Sequence, residues 1–154
     1  MKMMELCRFL YATMLLVTAT STTGYAQPNY NELGRLGYAQ WNCAALATFF
    51  DADEQVRADL FRRGYDSLYL LVSAMMEGEL QDEDTRNVPI GILWNLTGGP
   101  SPDFVLGYLW ASMKEDAYDS LEVSIDNISI GEAEELWAIE SEMAFRDANC
   151  ELLR

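Results

Sequence analysis

The sequence contains no histidine among its 154 residues. Imidazole is the base of Ser-His-Asp and Cys-His pairs, a frequent zinc and copper ligand, and the side chain that titrates nearest neutral pH. Those catalytic pairs, imidazole metal sites and a histidine pH switch are therefore excluded. The sequence also lacks phosphate-binding loops, the GxSxG elbow, CxxC and dinucleotide-binding glycine patterns. We assign no catalytic, cofactor-binding or metal-ligating residue.

Basic residues are scarce, with ten Lys and Arg against 25 Asp and Glu and a net charge of −15. Binding to nucleic acid or to anionic lipid needs clustered positive charge, so we expect no nucleic-acid partner. The acidity fits a solvated exported surface or a basic partner. The densest acidic segment, residues 77–84, lacks the alternation and closing glutamate of an EF-hand, so we predict a solvated linker there.

The N-terminus has the pattern of a cleavable secretory signal. Two basic residues precede an apolar run over residues 9–19, and the small residues Gly24 and Ala26 fit the peptidase site. The run is shorter than the roughly 18 to 20 apolar residues that a membrane anchor needs. We predict a signal peptide at 1–26 and a single mature domain at 27–154. The protein is then periplasmic or secreted, without stable membrane insertion after cleavage.

Cleavage would leave two cysteines, Cys43 and Cys150, in a compartment that oxidises thiols. Two cysteines allow a single intramolecular connectivity. We predict a disulfide between them that joins the first helix to the last. The alternative is a pair of free buried thiols acting as small apolar side chains.

Hydrophobic periodicity predicts an all-α bundle of four main helices and one short helix. The main helices are expected over residues 31–50, 54–77, from 102 onward and 130–152, and the short helix over 88–94. Their starts carry capping residues: Asp51 or Asp53 for the second, Ser101 for the third and Ser129 for the last. Ser129 with Glu132 has the spacing of a capping box.

Three of the helices have an apolar stripe that we expect to face the core. The stripes are Leu36, Ala39, Cys43, Leu46 and Phe50; Leu60, Gly64, Leu68, Leu71 and Met75; and Leu136, Ile139, Met143 and Cys150. Gly64 in the second stripe predicts close helix packing or a kink. Residues 104–111 are apolar nearly all round and should be the most deeply buried. We expect a core tryptophan from each of four helices, with interface anchoring as the alternative role: Trp41, Trp94, Trp110 and Trp137.

Carboxylate pairs are the remaining candidates for catalysis. Glu77 with Glu79, and Glu115 with Asp119, are close enough in sequence to share a surface. Glycosidases use two carboxyl groups as acid and as base or nucleophile. A carboxylate-based hydrolase of cell-wall or extracellular glycans is therefore the alternative to a non-catalytic protein.

Four short motifs together resemble a group of small exported helical proteins of Gram-negative bacteria. The motifs are Trp41-x-Cys43, Leu60-Phe61-x-x-Gly64-Tyr65, Gly99-Pro100-Ser101-x-Asp103-Phe104-Val105-Leu106-Gly107 and Asn149-Cys150. A cysteine helix followed by a Gly-Tyr helix is also loosely similar to periplasmic acid-stress chaperones of the HdeA type and to type VI secretion immunity proteins. This resemblance transfers no functional residues. With export and the missing catalytic motifs, it leads us to expect a protein that acts by binding another protein, such as an inhibitor, an immunity factor or a chaperone.

The mature N-terminus can be tested directly. Expression of the full chain with export in a Gram-negative host should yield a protein that begins at Gln27, because the peptidase cleaves after a small residue. Removal of Lys2, Arg8 and Glu5 leaves eight basic and 24 acidic residues, a net charge of −16. Intact-mass spectrometry of the periplasmic fraction is the measurement. A mass that retains Met1 would rule out the signal peptide.

Overall fold

The computed structural model describes residues 28–95, 98–124 and 126–154. Within these ranges the chain forms α-helices and a terminal 3₁₀ helix, and no strand. The elements are α1 (Tyr30–Leu46), α2 (Glu54–Met76), α3 (Asp82–Thr85), α4 (Ile90–Asn95), α5 (Pro102–Ser120), α6 (Ile130–Asp147) and the 3₁₀ helix (Cys150–Leu153). The all-α bundle with four long helices is confirmed. Residues 1–26, predicted as a signal peptide, lie outside the described residues.

Polar caps begin the long helices where the sequence predicts them. Asp53, rather than Asp51, accepts a hydrogen bond from the Val56 backbone N–H at 3.0 Å, and so caps α2. Ser101 caps α5 in the same way, with Pro102 in its first turn. At α6 the Ser129 backbone N–H and hydroxyl donate to the Glu132 carboxylate, which lowers the pKa of that carboxyl. These bonds satisfy backbone donors that a helix start leaves free.

Helices α1 and α2 pack closely against each other at Gly64. A Cβ on Gly64 would stand 3.0 Å from the Gly37 carbonyl oxygen and would collide with the Trp41 indole. Trp41 is buried there, and its indole N–H donates to the Phe61 carbonyl oxygen at 2.9 Å. The predicted role of Gly64 in close helix packing is confirmed.

The core consists of two apolar clusters. The first surrounds Trp41 and Leu68 and draws on α1, α2, α4 and the first part of α5. The second surrounds Cys43 and Phe145 and joins α1 to the C-terminal elements. Trp110 on α5 packs against both clusters. Trp110 therefore holds α5 against both clusters.

The C-terminus is fastened to α1 by a disulfide and a hydrogen bond. Cys43 and Cys150 are bonded, with their Cα atoms 5.5 Å apart, which confirms the predicted pair. Closing a loop of 107 residue steps should contribute roughly 4 to 5 kcal/mol on the chain-entropy account. Beside it, the buried Gln40 side-chain amide donates to the Leu153 carbonyl oxygen at 3.0 Å.

Several predicted boundaries were wrong. α1 ends at Leu46 and not at 50, and the hydroxyl of Thr48 bonds to the Ala45 carbonyl oxygen just beyond that end. The last helix ends at Asp147, because Asn149 takes the left-handed conformation (φ 55°) that terminates helices. Cys150 therefore lies in the 3₁₀ helix. The predicted linker over 77–84 contains the start of α3.

The predicted burial of α5 was also wrong. Val105, Leu109 and three further residues of α5 are buried, but Phe104 and Tyr108 are exposed on its opposite side. α1 has the larger number of buried residues and is the central helix. α5 packs along α1 and α2 on one side only, and its apolar outer side is left to solvent. Trp94 on α4, predicted to lie in the core, is 72% exposed.

On α6 the predicted core stripe is on the outer side. Leu136, Ile139 and Met143 are 41%, 54% and 49% exposed. The side that faces the protein carries smaller and aromatic residues instead: Ala133, Trp137, Ser141, Ala144 and Phe145. Phe145 packs edge-on against Phe50, with ring centroids 5.4 Å apart. The sequence offers α6 two apolar sides, and the protein buries the one that carries Trp137 and Phe145.

A pair of glycine substitutions tests the α1–α2 contact. Gly64→Ala should lower the free energy of unfolding by about 1 to 3 kcal/mol, because the new methyl group must displace Trp41 or the Gly37 backbone. Gly107→Ala on α5 is the matched control, since nothing lies within 4 Å of the added Cβ. It should raise stability by about 0.5 to 1 kcal/mol through helix propensity. Urea unfolding measures both, and a neutral or stabilising Gly64→Ala would disprove the contact.

Candidate functional site

An aromatic ladder runs along one side of α2. Phe61, Tyr65 and Tyr69 are spaced four residues apart, so they lie on one side of the helix. Their ring centroids are 6.5 Å apart between Phe61 and Tyr65, and 5.8 Å apart between Tyr65 and Tyr69. At the N-terminal end of the ladder Phe61 packs edge-on against Trp110 of α5, with ring centroids 4.9 Å apart. The ladder therefore follows the boundary between α2 and α5.

One side-chain hydrogen bond crosses this boundary. The Tyr65 hydroxyl donates to the Asp103 carboxylate. Asp103 lies in the first turn of α5, where the helix dipole favours a negative charge. Ser101 fixes that turn by capping it, at a hydroxyl-to-Phe104 N–H distance of 3.3 Å. The helix start thus positions the carboxylate that Tyr65 contacts.

The C-terminal half of the ladder, Tyr65 and Tyr69, borders an open groove of about 380 Å³. It is lined by Tyr65, Asp66, Tyr69, Leu70 and Asp103, and we call it the α2–α5 groove. Tyr69 and Leu70 are 37% and 50% exposed. Tyrosine faces attract cations through the ring quadrupole, and carboxylates accept charge-assisted hydrogen bonds from them. The chemistry of this groove suits an apolar group that carries a positive charge.

Asp103 also changes the acidity of Tyr65. The hydrogen bond to Asp103, with smaller contributions from burial and from the Asp103, Tyr69 and Asp66 charges, raises the pKa of Tyr65 to about 12. A carboxylate that accepts the phenolic proton's hydrogen bond stabilises the neutral phenol over the phenolate. Tyr65 is therefore a neutral donor at any physiological pH.

The catalytic carboxylate candidates do not meet in a groove. Glu77, Glu79, Glu115 and Asp119 are all exposed. Two further grooves lie elsewhere, one bordered by Phe61 and Trp110 and the other by residues between 146 and 152. None of the four carboxylates lines either of these grooves or the α2–α5 groove. Cys43 and Cys150 are both buried, and their disulfide fastens the C-terminal 3₁₀ helix to α1. These positions give no support to the glycan hydrolase hypothesis.

Sequence reasoning missed the partnership of Tyr65 with Asp103. In the sequence the two residues fall in separate motifs, and neither motif assigns them a role. The four-residue spacing of Phe61, Tyr65 and Tyr69 was the available signal, because it places three aromatic rings on one side of a helix. Nothing in the sequence indicates which part of the chain, 38 residues away, supplies the acceptor.

Two negative findings apply to the described part of the chain. Residues 28–95, 98–124 and 126–154 include no helix that is both long enough and apolar enough to cross a bilayer. The same ranges hold no group of three or more His, Cys, Asp or Glu side chains placed to bind a metal ion.

Comparison of the chain with protein-family models, curated proteins and solved structures found no significant match.

The Tyr65–Asp103 contact predicts a pH titration. Asp103→Asn should move the pKa of Tyr65 from about 12 down towards its ordinary value of 10.0, because the acceptor loses its charge. Asp66→Asn is the matched control and should change it far less, since its charge is the smallest of the contributions. NMR of ¹³C-labelled tyrosine rings against pH, assigned with Tyr65→Phe, makes the measurement. If Tyr65 titrates near 10 in the wild-type protein, the contact is absent in solution.

Proposed function

We propose that this protein is a non-catalytic exported protein, periplasmic or secreted, that acts by binding another protein, as an inhibitor, an immunity factor or a chaperone would. The observation that carries the proposal is the exposed aromatic ladder beside the α2–α5 groove. Tyrosine and tryptophan dominate the energetics of protein interfaces, because they bury a large area and lose little side-chain entropy. The groove combines two tyrosines with an exposed leucine at one place.

The ladder does more than fill the core. Trp41 and Trp110 occupy the space between α1, α2 and α5, and Phe61 contacts both of them. Tyr65, in the middle of the ladder, packs against the core, whereas Phe61 and Tyr69 are each 37% exposed. Tyr69 contacts Tyr65 and lines the groove, so its exposed side is available to a partner. A ring already held by its neighbours loses less conformational freedom on binding than a mobile one.

The charge of the groove supports a basic partner. Asp66 and Asp103 border it, and the whole chain has 25 acidic against ten basic residues. An acidic surface attracts basic partners over distance and raises their association rate, especially at low salt. We infer that an arginine or lysine side chain of the partner enters the groove between the tyrosine rings and the carboxylates.

The disulfide supports both parts of the proposal. A Cys43–Cys150 bond is stable where thiols are oxidised, as they are outside the cytoplasm. It also fastens α1 to the C-terminus, which limits the motion of a small scaffold. A rigid scaffold loses less entropy when it binds, so a small contact surface can suffice.

Partner capture tests this function. Crosslinking of the tagged, exported protein in its native host, followed by mass spectrometry, should identify one enriched protein. With that protein purified, Tyr69→Ala should weaken binding by about tenfold or more, because it removes an exposed ring that lines the groove. Affinity should also fall as the salt concentration rises from low to high, since the contact joins opposite charges.

Trp94→Ala is the control for the binding measurement. Trp94 is a large exposed aromatic residue outside the α2–α5 groove, so its loss should leave the affinity unchanged. Near-UV circular dichroism verifies that both variants fold. Equal binding by the wild-type protein and Tyr69→Ala would show that the groove is not part of the interface. Binding that is unaffected by salt would contradict a basic partner.

A further inference from the structure

The outer side of α6 carries an apolar stripe that belongs to neither of the two core clusters. Leu136, Ile139 and Met143 follow one another at spacings of three and four residues, so their side chains are neighbours on the helix surface. All three are exposed, while Trp137 and Phe145 on the inner side pack against the protein. We call these three residues the α6 stripe. Scattered exposed apolar residues are ordinary, but a continuous row along a helix marks an interaction surface.

Carboxylates border the α6 stripe on both sides. At about 3.6 residues per turn, Glu135 and Glu142 fall on one flank of the stripe and Glu140 and Asp147 on the other. The single basic residue of α6, Arg146, pairs with Glu142 at 2.5 Å. An apolar row between two acidic rows is the complement of a helix with an apolar row between basic residues.

A second copy of this chain is a poor occupant of the stripe. α6 carries six acidic residues and one basic residue, and four of the acidic residues flank the stripe, so two α6 helices packed together through it would bring eight carboxylates to one interface. Like charges so placed repel, and the repulsion counts most at the low ionic strength where a basic partner binds best. A short apolar row cannot readily offset that cost. The charge argues for an unlike, basic partner.

We propose that the α6 stripe is a docking site for a basic amphipathic helix of a partner protein. Apolar side chains of that helix, at positions i, i+3 or i+4, and i+7, pack between Leu136, Ile139 and Met143. Its lysines or arginines face the glutamates on the two flanks. This surface shares no residue with the α2–α5 groove, so it extends the proposed function to a second contact and can be tested without the first.

The test uses three synthetic peptides with the full mature protein. The first is a basic amphipathic helix, with leucines at helical spacing between lysines. The second has the same composition in an order that destroys the apolar row. The third replaces each lysine with glutamate. Titration by isothermal calorimetry should show binding of the first peptide, at least about tenfold weaker binding of the second and none of the third.

Variants of the stripe locate the binding. Ile139→Asp should weaken binding of the first peptide about tenfold or more, although the substitution adds a negative charge that attracts lysine more strongly. Loss of binding would thus report the apolar contact and not the charge. Ile130→Asp, at an exposed isoleucine outside the stripe, is the matched control and should leave binding intact. If Ile139→Asp fails to fold, Leu136→Gln with Met143→Gln takes its place.

Three outcomes would overturn the proposal. Equal binding of the first two peptides would mean that charge alone attracts them. Unchanged binding by the folded stripe variants would place the peptide elsewhere. A wild-type dimer in analytical ultracentrifugation that Ile139→Asp converts to a monomer would make the occupant a second copy. Tyr69→Ala should leave peptide binding unchanged, so the α6 stripe and the α2–α5 groove can fail separately.

Discussion

The packing of the Trp41 indole against Gly64 sets the arrangement of this bundle. Because Gly64 has no side chain, α1 and α2 come close enough for the indole N–H to reach the Phe61 carbonyl oxygen. Trp110 then packs edge-on against Trp41, with ring centroids 5.4 Å apart, and so positions α5. The aromatic ladder on α2 begins at this same contact. The packing of the core and the position of the α2–α5 groove therefore both depend on the absence of a side chain at Gly64.

The second constraint lies at the other end of α1. Cys43 and Gln40, one turn apart, fasten the C-terminal 3₁₀ helix through a disulfide and a hydrogen bond. α6 leads into that helix and packs inward through Phe145. Because its inner side and its C-terminal end are held, the orientation of α6 is fixed. The outer side of α6 is consequently free to present the α6 stripe.

The sequence was informative about local structure and less so about which side of a helix faces inward. Caps at Ser101 and Ser129 depend on neighbouring residues alone, and the two cysteines expected to remain after signal cleavage have one way to pair. On α6, periodicity chose the more apolar stripe, although the inner side is set by what Trp137 and Phe145 meet on distant elements. The Tyr65–Asp103 contact was equally out of reach, because it joins separate helices.

Acidity and exposed apolar groups occur together on this protein for a physical reason. Apolar surfaces such as the α6 stripe favour association with any other apolar surface, because the hydrophobic effect has no directional preference. Carboxylates beside such a surface make contact between two copies of the chain costly, and they make contact with a basic partner favourable. Glu135 and Glu142 beside the stripe, and Asp66 and Asp103 around the α2–α5 groove, follow that arrangement. Charge then selects the partner, and the apolar and aromatic side chains supply most of the affinity.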